Sequence, residues 1–351
     1  MTKRKNMGII AASVSAFLLF VGCESLARKQ YAQTFGRVEG FSDDQFTTYI
    51  TWKEVDQIKY AREEVRFNSG ANSLQGFIYG GDNSNGLVVI SQGLGGTADS
   101  YFPLIMYFVD KGWRVFAYNN TGVDGSEGED VGGIYQSVID LDAALDFVEK
   151  TGAFDGLPVM LAGHSWGGFA VCAVLNYNHP VKAVVSFAGY NSGSEVFDEN
   201  GKSASKFYNL IKPQFRKIEK KRFGDAAKLT AVDGINKGGI PVMIVQSSDD
   251  DVITAEKTSI YAYREKITNP HVEIIYKDGE DATGHERVFG SMKRKEYAKW
   301  VNANWKAYYE ADPENATLLQ WAKEVDFDKT LANELDADLM ERIHEFFIKA
   351  M

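Results

Sequence analysis

Val159-Met160-Leu161-Ala162-Gly163-His164-Ser165-Trp166-Gly167-Gly168 passes from an apolar run into a glycine-rich turn, and Phe169–Leu175 behind it favours helix. A short apolar run that ends in glycine reads as a strand buried on both faces. Strand, sharp turn and helix then place a Gly-x-Ser-x-Gly pattern at the carboxyl end of that strand. A nucleophile on a strained turn needs neighbours without bulk, and the turn lifts its hydroxyl above the sheet edge. The following helix aims its first amides and its dipole at developing negative charge. Alone the pattern is weak, because an ordinary glycine-rich strand-to-helix connection also matches it. The rest of the chain must decide.

Moving outward, similar apolar runs recur at Leu87–Ile90, Val115–Tyr118, Ala183–Phe187, Val242–Val245 and Val272–Ile275. Val65–Phe67 and Leu74–Tyr79 read as strands joined through Asn68-Ser69-Gly70. Helix-length segments separate most of them, such as Tyr135–Lys150 with Val138, Leu141, Leu145 and Val148 at helical spacing. This alternation predicts an α/β fold with a mainly parallel eight-stranded sheet flanked by helices. Ligands of such sheets bind at the carboxyl ends of the strands. Two further helical stretches, from Met292 to about Tyr308 and from Leu335 to Ala350, close the chain. The stripe Leu335, Leu339, Ile343, Phe346 and Phe347 predicts that the closing helix packs on the sheet.

One stretch, about 190–235, breaks the alternation and reads as an inserted helical cap. Phe207, Leu210, Ile211, Phe215 and Ile218 mark one face of a helix there. Lys202, Lys206, Lys212, Arg216, Lys217, Lys220, Lys221 and Arg222 stand against Glu219 as the sole acid over those 21 positions. Such a run is usually a solvated face, and contact with an anionic head group or substrate is the alternative.

With 351 residues, 44% hydrophobic and 25% charged, the chain can bury a large core, which excludes wholesale disorder. A formal charge of −10 excludes a general nucleic-acid binder. Two cysteines exclude a disulfide scaffold, and Cys172, among Ala170, Val171, Ala173 and Val174, reads as a small core residue. No His/Cys/Asp cluster has ligand spacing, so no metal or organic cofactor is implied.

A serine nucleophile needs a base and a carboxylate to orient it. Among five histidines, His164 is locked in the turn, His179 and His271 lie at the wrong end of the sheet, and His344 is inside the closing helix. His285, in the loop after the last strand, remains. The acid should follow an earlier strand on the same edge, where Asp249, Asp250 and Asp251 follow Val242–Gln246. One of the three could instead be solvated or cap a helix over Thr254–Arg264. Gly93, Gly95 and Gly96, after the strand Leu87–Ile90, would let backbone amides approach a substrate oxygen.

The order Ser165, Asp, His285 is that of α/β-hydrolases. From about Val65 onward the chain resembles that superfamily, in its serine aminopeptidase/monoacylglycerol-lipase-like esterase branch. The resemblance is carried by Gln92-Gly93-Leu94-Gly95-Gly96, the stretch Tyr118 to Ser126, Gly163-His164-Ser165-Trp166-Gly167-Gly168, Ser248-Asp249-Asp250-Asp251-Val252-Ile253 and Gly284-His285. It implies Ser165 as nucleophile, His285 as base, Asp250 as the acid, and the Leu94 and Trp166 amides as oxyanion donors. Gln92 and Thr121 stand where relatives often have His and Arg. The expected activity is hydrolysis of a small-molecule carboxylic ester; the rivals are an amidase or peptidase of the same fold and a non-catalytic binding protein.

At the start, Lys3, Arg4 and Lys5 precede an apolar run from Met7 to Gly22, the layout of a secretory signal. It is short for a membrane span, which needs about 20 residues. Phe20-Val21-Gly22-Cys23 resembles a bacterial lipobox, with Cys23 as the lipidated residue, although Phe20 replaces the usual Leu. The alternative is an uncleaved N-terminal anchor. Both place the rest of the chain outside the cytoplasm and tie it to a membrane. Loss of residues 1–22 removes three positive charges and no acid, taking the formal charge from −10 to −13. The expected organisation is a signal over 1–22, a tether and packed N-terminal segment over 23–60, and a hydrolase domain over 61–351.

Overall fold

Short runs of β-branched and aromatic residues become strands because such side chains pack well on a pleated, buried surface. The computed structural model describes residues 24–41, 46–204 and 208–351. Its strands are β1 (Arg62–Ser69), β2 (Asn72–Tyr79), β3 (Leu87–Ser91), β4 (Arg114–Tyr118), β5 (Val159–His164), β6 (Val181–Phe187), β7 (Val242–Ser247) and β8 (Val272–Lys277). They form one sheet in the order β1-β2-β4-β3-β5-β6-β7-β8. β2 is antiparallel to both of its neighbours, and the pairs from β4 to β8 are parallel. The chain reverses direction across the sheet at β3, which lies between β4 and β5. A crevice at the carboxyl ends of β3 and β5 follows from that reversal.

The helices are α1 (residues 24–34), α2 (Phe102–Asp110), α3 (Gln136–Lys150), α4 (Trp166–Ala173), α5 (Gly193–Ala204), α6 (Tyr208–Phe223), α7 (Ala231–Gly238), α8 (Met292–Ala311), α9 (Leu318–Glu324), α10 (Lys329–Ala332) and α11 (Ala337–Lys349). Alternate strand residues feed two cores, one on each face of the sheet. Val242 and Ile244 of β7 pack with α3, α4 and the cap, whereas Met243 and Val245 pack with α2 and α11. Each fully buried Val, Ile or Leu contributes about 1.5–3 kcal/mol relative to exposure, so the central strands anchor the loops at their ends.

Three elements differ from the sequence reading. The segment after residue 23 packs from its start: Ala27 and Tyr31 of α1, and Phe35 just beyond it, are buried against the cap. The cap itself is α5 and α6, because α7 returns to the body, where Gly234 approaches the Cys172 carbonyl of α4. Within α6, Leu210 is exposed while Tyr208, Ile211, Gln214, Phe215, Glu219 and Phe223 are buried. The expected helix over Thr254–Arg264 is a set of turns followed by a 3-10 helix at Tyr261–Lys266. Its backbone is used elsewhere: Thr258 accepts from the Asn191 amide, and the Ile260 amide donates to Gly189, tying the segment to the cap entrance. Cys172 is buried, and burial pushes its thiol up to about 12. Residues 1–22, Cys23, Lys206 and Phe207 lie outside the described residues. Among the described residues no helix is long and apolar enough to cross a membrane.

Candidate active site

Ser165 has φ 55° and ψ −113°, a backbone conformation that non-glycine residues rarely adopt. The turn holds it there by close packing. A Cβ on Gly163 would lie 2.3 Å from the Gly167 carbonyl oxygen, and one on Gly167 would lie 2.0 Å from that of Ser91. The Ser165 amide donates to Phe187 at 2.8 Å, fixing the turn to β6. Trp166 opens α4, so its amide has no intrahelical acceptor. Its indole Nε1 donates to Ile134 at 2.7 Å.

His285 and Asp250 arrive from the ends of β8 and β7. Asp250 is buried, and its Oδ1 accepts the Val252 and Ile253 amides at 3.0 and 2.7 Å. Its Oδ2 accepts Gln246 Nε2 at 3.0 Å and faces His285 Nδ1 at 2.8 Å. A carboxylate acceptor there requires the proton on Nδ1, which leaves the Nε2 lone pair facing Ser165 Oγ at 2.9 Å. The three side chains form one hydrogen-bonded line, Asp250–His285–Ser165. Asp251 is exposed.

Asp249 is exposed, as expected of a solvated neighbour, and does not cap a helix. Its Oδ1 accepts from Ser247 Oγ and from the Gly284 amide, both at 2.7 Å, and so clasps the loop that carries His285. Ser247 Oγ also accepts the Thr283 amide at 2.8 Å.

The Gly93–Gly96 loop closes on itself through Gly96 N to Gly93 O at 3.1 Å and Gln92 Nε2 to Gly96 O at 2.7 Å. Leu94 lies at its exposed tip and lines two cavities together with Ser165. Thr121 donates through both its amide and its hydroxyl to the buried Asp140, at 2.8 and 2.9 Å.

His164 links these loops. The Gly93 amide donates to Tyr101 Oη at 2.8 Å, leaving that hydroxyl to donate to His164 Nδ1 at 2.8 Å. His164 Nε2–H then donates to the His285 carbonyl at 3.1 Å. Burial, with the nearby His285 ring, holds His164 well below the usual histidine range, so it stays neutral and keeps this tautomer. The remaining histidines lie outside the site: His179 pairs with Asp142 and Glu149, and His344 accepts from Trp113.

Ser165 opens on two cavities. The cap-side one, about 480 Å³, is mainly apolar, with Phe35, Ile134, Trp166, Phe197 and Phe215 in its wall. The other, about 260 Å³, runs past Gly93–Gly96, Tyr49 and Arg294. Glu286 lines both, whereas the Asp278-Gly279-Glu280-Asp281 run lines neither. Among the described residues no group of three or more His, Cys, Asp or Glu could hold a metal ion. The sequence reading missed α1 as a pocket wall, although Ala27, Tyr31 and Phe35 recur at helical spacing. It also missed Tyr101 and the contact between Asp249 and Gly284, whose partners lie far away in sequence, and it missed Arg294.

Residues 82–231 match the family model of the serine aminopeptidases, S33. Among solved structures, an esterase of Pyrococcus furiosus in one crystal form is similar at 15% identity and TM-score 0.56, over 89% of this chain and 98% of that one. A second crystal form of the same esterase gives 15% identity and TM-score 0.55 over 77% and 97%. At such identity these likenesses speak for the fold. No curated protein matches the chain significantly. The chain belongs to the α/β-hydrolase superfamily. Within that superfamily it is a hydrolase of the esterase/peptidase type.

Proposed function

We propose that the chain is an exported, lipid-anchored serine hydrolase that cleaves carboxylic esters through an acyl-enzyme on Ser165. The observation that carries this reading is the Asp250–His285–Ser165 line, at 2.8 and 2.9 Å, beside a mainly apolar cavity of about 480 Å³. Ser165 Oγ attacks the ester carbonyl while His285 Nε2 takes its proton, and Asp250 holds the imidazole's tautomer and stabilises the imidazolium. The Leu94 and Trp166 amides receive the oxyanion. Collapse expels the alcohol, protonated by His285, and water releases the acid by the same route in reverse. The apolar wall suits an acyl chain. Ser165→Ala should abolish turnover of p-nitrophenyl butyrate and labelling by a fluorophosphonate; a folded wild-type protein that does neither is a binding protein.

The serine aminopeptidase match favours a second reading, cleavage of an aminoacyl amide with Glu286 as the acid nearest the substrate amine. Alanine p-nitroanilide and p-nitrophenyl butyrate assayed side by side separate the two. Export rests on residues 1–23 alone; Cys23→Ser should abolish palmitate incorporation and release the protein from membranes.

A further inference from the structure

Arg294 is nine-tenths buried, yet among the described residues no carboxylate lies within ion-pair distance of it and its guanidinium makes no hydrogen bond. Its one close partner is the Phe289 ring, 5.6 Å from its Cζ. It stands in the first turn of α8, where the helix dipole is positive and disfavours a cation. Burial pushes its guanidinium down to about 10, which still leaves it charged at neutral pH. With no protein acceptor, its nitrogens keep contact only with the cavity, where an anion would stabilise the partly desolvated charge.

Arg287 stands beside it, with a buried Nε that has no acceptor. The two guanidiniums share a cavity of about 220 Å³ with Tyr49, Asn302 and Glu286. Glu286 is exposed and lines the cavity too, so the space carries two guanidiniums against one carboxylate. Arg294 also lines the 260 Å³ cavity that contains Ser165 and Leu94, and Tyr49 and Glu286 line both spaces as well. The cleft lined by Ser165 and Leu94 therefore also carries the unpaired Arg294, which shares its second cavity with Arg287.

We propose that this cleft is an anion-binding subsite in which Arg294 and Arg287 hold a carboxylate or phosphate group on the alcohol side of the substrate. The planar forks of the two arginines match either oxyanion bidentately. The substrate class is then an ester with an apolar acyl chain and an anionic alcohol portion. This orientation rests on Ser165 as nucleophile; the anion site does not.

Two experiments keep these apart. In the first, 3-(butyryloxy)benzoate is compared with its uncharged methyl ester. The wild-type preference for the carboxylate, measured as a ratio of kcat/KM, should fall about tenfold or more in Arg294→Met and less in Arg294→Lys. An unchanged ratio in folded Arg294→Met overturns the proposal; if that variant does not fold, Arg287→Met carries the same comparison. The second uses Ser165→Ala protein titrated with inorganic phosphate and with benzoate in a calorimeter. Binding of either probe that is lost with Arg294→Met or Arg287→Met supports the site and identifies which anion it takes. Absence of binding by both probes, or binding that survives both substitutions, overturns it. If neither ester is turned over while phosphate binds, the esterase reading fails and the anion site stands.

Discussion

The carboxyl edge of the sheet and the cap above it are held by different physics. At the edge each site group is fixed by short hydrogen bonds in a dry setting: Asp250 is met by four donors and Ser165 by a backbone that only glycine neighbours permit. The cap is held by part-exposed ion pairs, Lys212 and Arg216 to Asp198 and Arg222 to Asp130, and by a buried contact between Glu219 and Tyr31 of α1. Exposed pairs contribute about 0–1 kcal/mol each. Apolar packing adds to these in the cap, where Tyr31 and Phe35 meet Phe197 and Phe215, whereas the edge relies on directional hydrogen bonds. Lys212, Arg216 and Arg222, three of the eight residues in the basic run that marks the cap in sequence, are spent on the ion pairs.

The edge is most sensitive at the carboxylate. Asp250→Asn should cut ester turnover on the order of 10⁴-fold, because an amide at that position no longer fixes the imidazole's tautomer. Single-turnover acylation of folded protein checks it, and a small loss would move the acid to a neighbour. Tyr101→Phe removes one hydroxyl and leaves the Gly93 amide and His164 Nδ1 unpartnered on two different loops. At about 1 kcal/mol for each orphaned group, turnover should fall about 30-fold. The loss should appear in kcat more than in KM, since no substrate contact is removed. Asp249→Ala leaves the Gly284 amide only its longer bond to Ser247 Oγ, 3.2 Å, and loosens the His285 loop, with an expected loss of about tenfold. If Asp249→Ala proves as damaging as Asp250→Asn, the two aspartates share a role that the geometry divides between them.

The same contrast explains what was legible in the sequence. The Val159–Gly168 turn, the eight strands and the choice of His285 are local or nearly so, because strand ends bring them together by topology. Asp249 is solvated as expected, but its contact with Gly284 was hidden because that partner is 35 residues away and joins it only once β7 and β8 pair. The Thr254–Arg264 segment misled for a related reason: besides closing its own short turns, its backbone bonds the cap entrance through Thr258 and Ile260. Tyr31 and Glu219 are 188 residues apart, so nothing local marks either as a partner.

That last pair offers the test that is smallest in activity and most specific to the cap. Burial raises the Glu219 carboxyl to about 7, with Tyr31 and the Ile134 amide donating to it. An unfolded glutamate titrates near 4.3. Between those values the folded chain binds the proton that the unfolded chain has lost, so stability falls as pH rises. The contribution is full below the unfolded value and is gone once pH passes the folded one, on the order of 3 kcal/mol across the window. Glu219→Gln keeps an acceptor for Tyr31 and removes the charge. The variant should therefore unfold at the same temperature as wild type at pH 4 and about 5 °C higher at pH 8. Turnover at pH 7 should change little, because the carboxylate touches neither Ser165 nor His285. Parallel melting curves for the two proteins across that range would show that the cap's contact with α1 does not titrate.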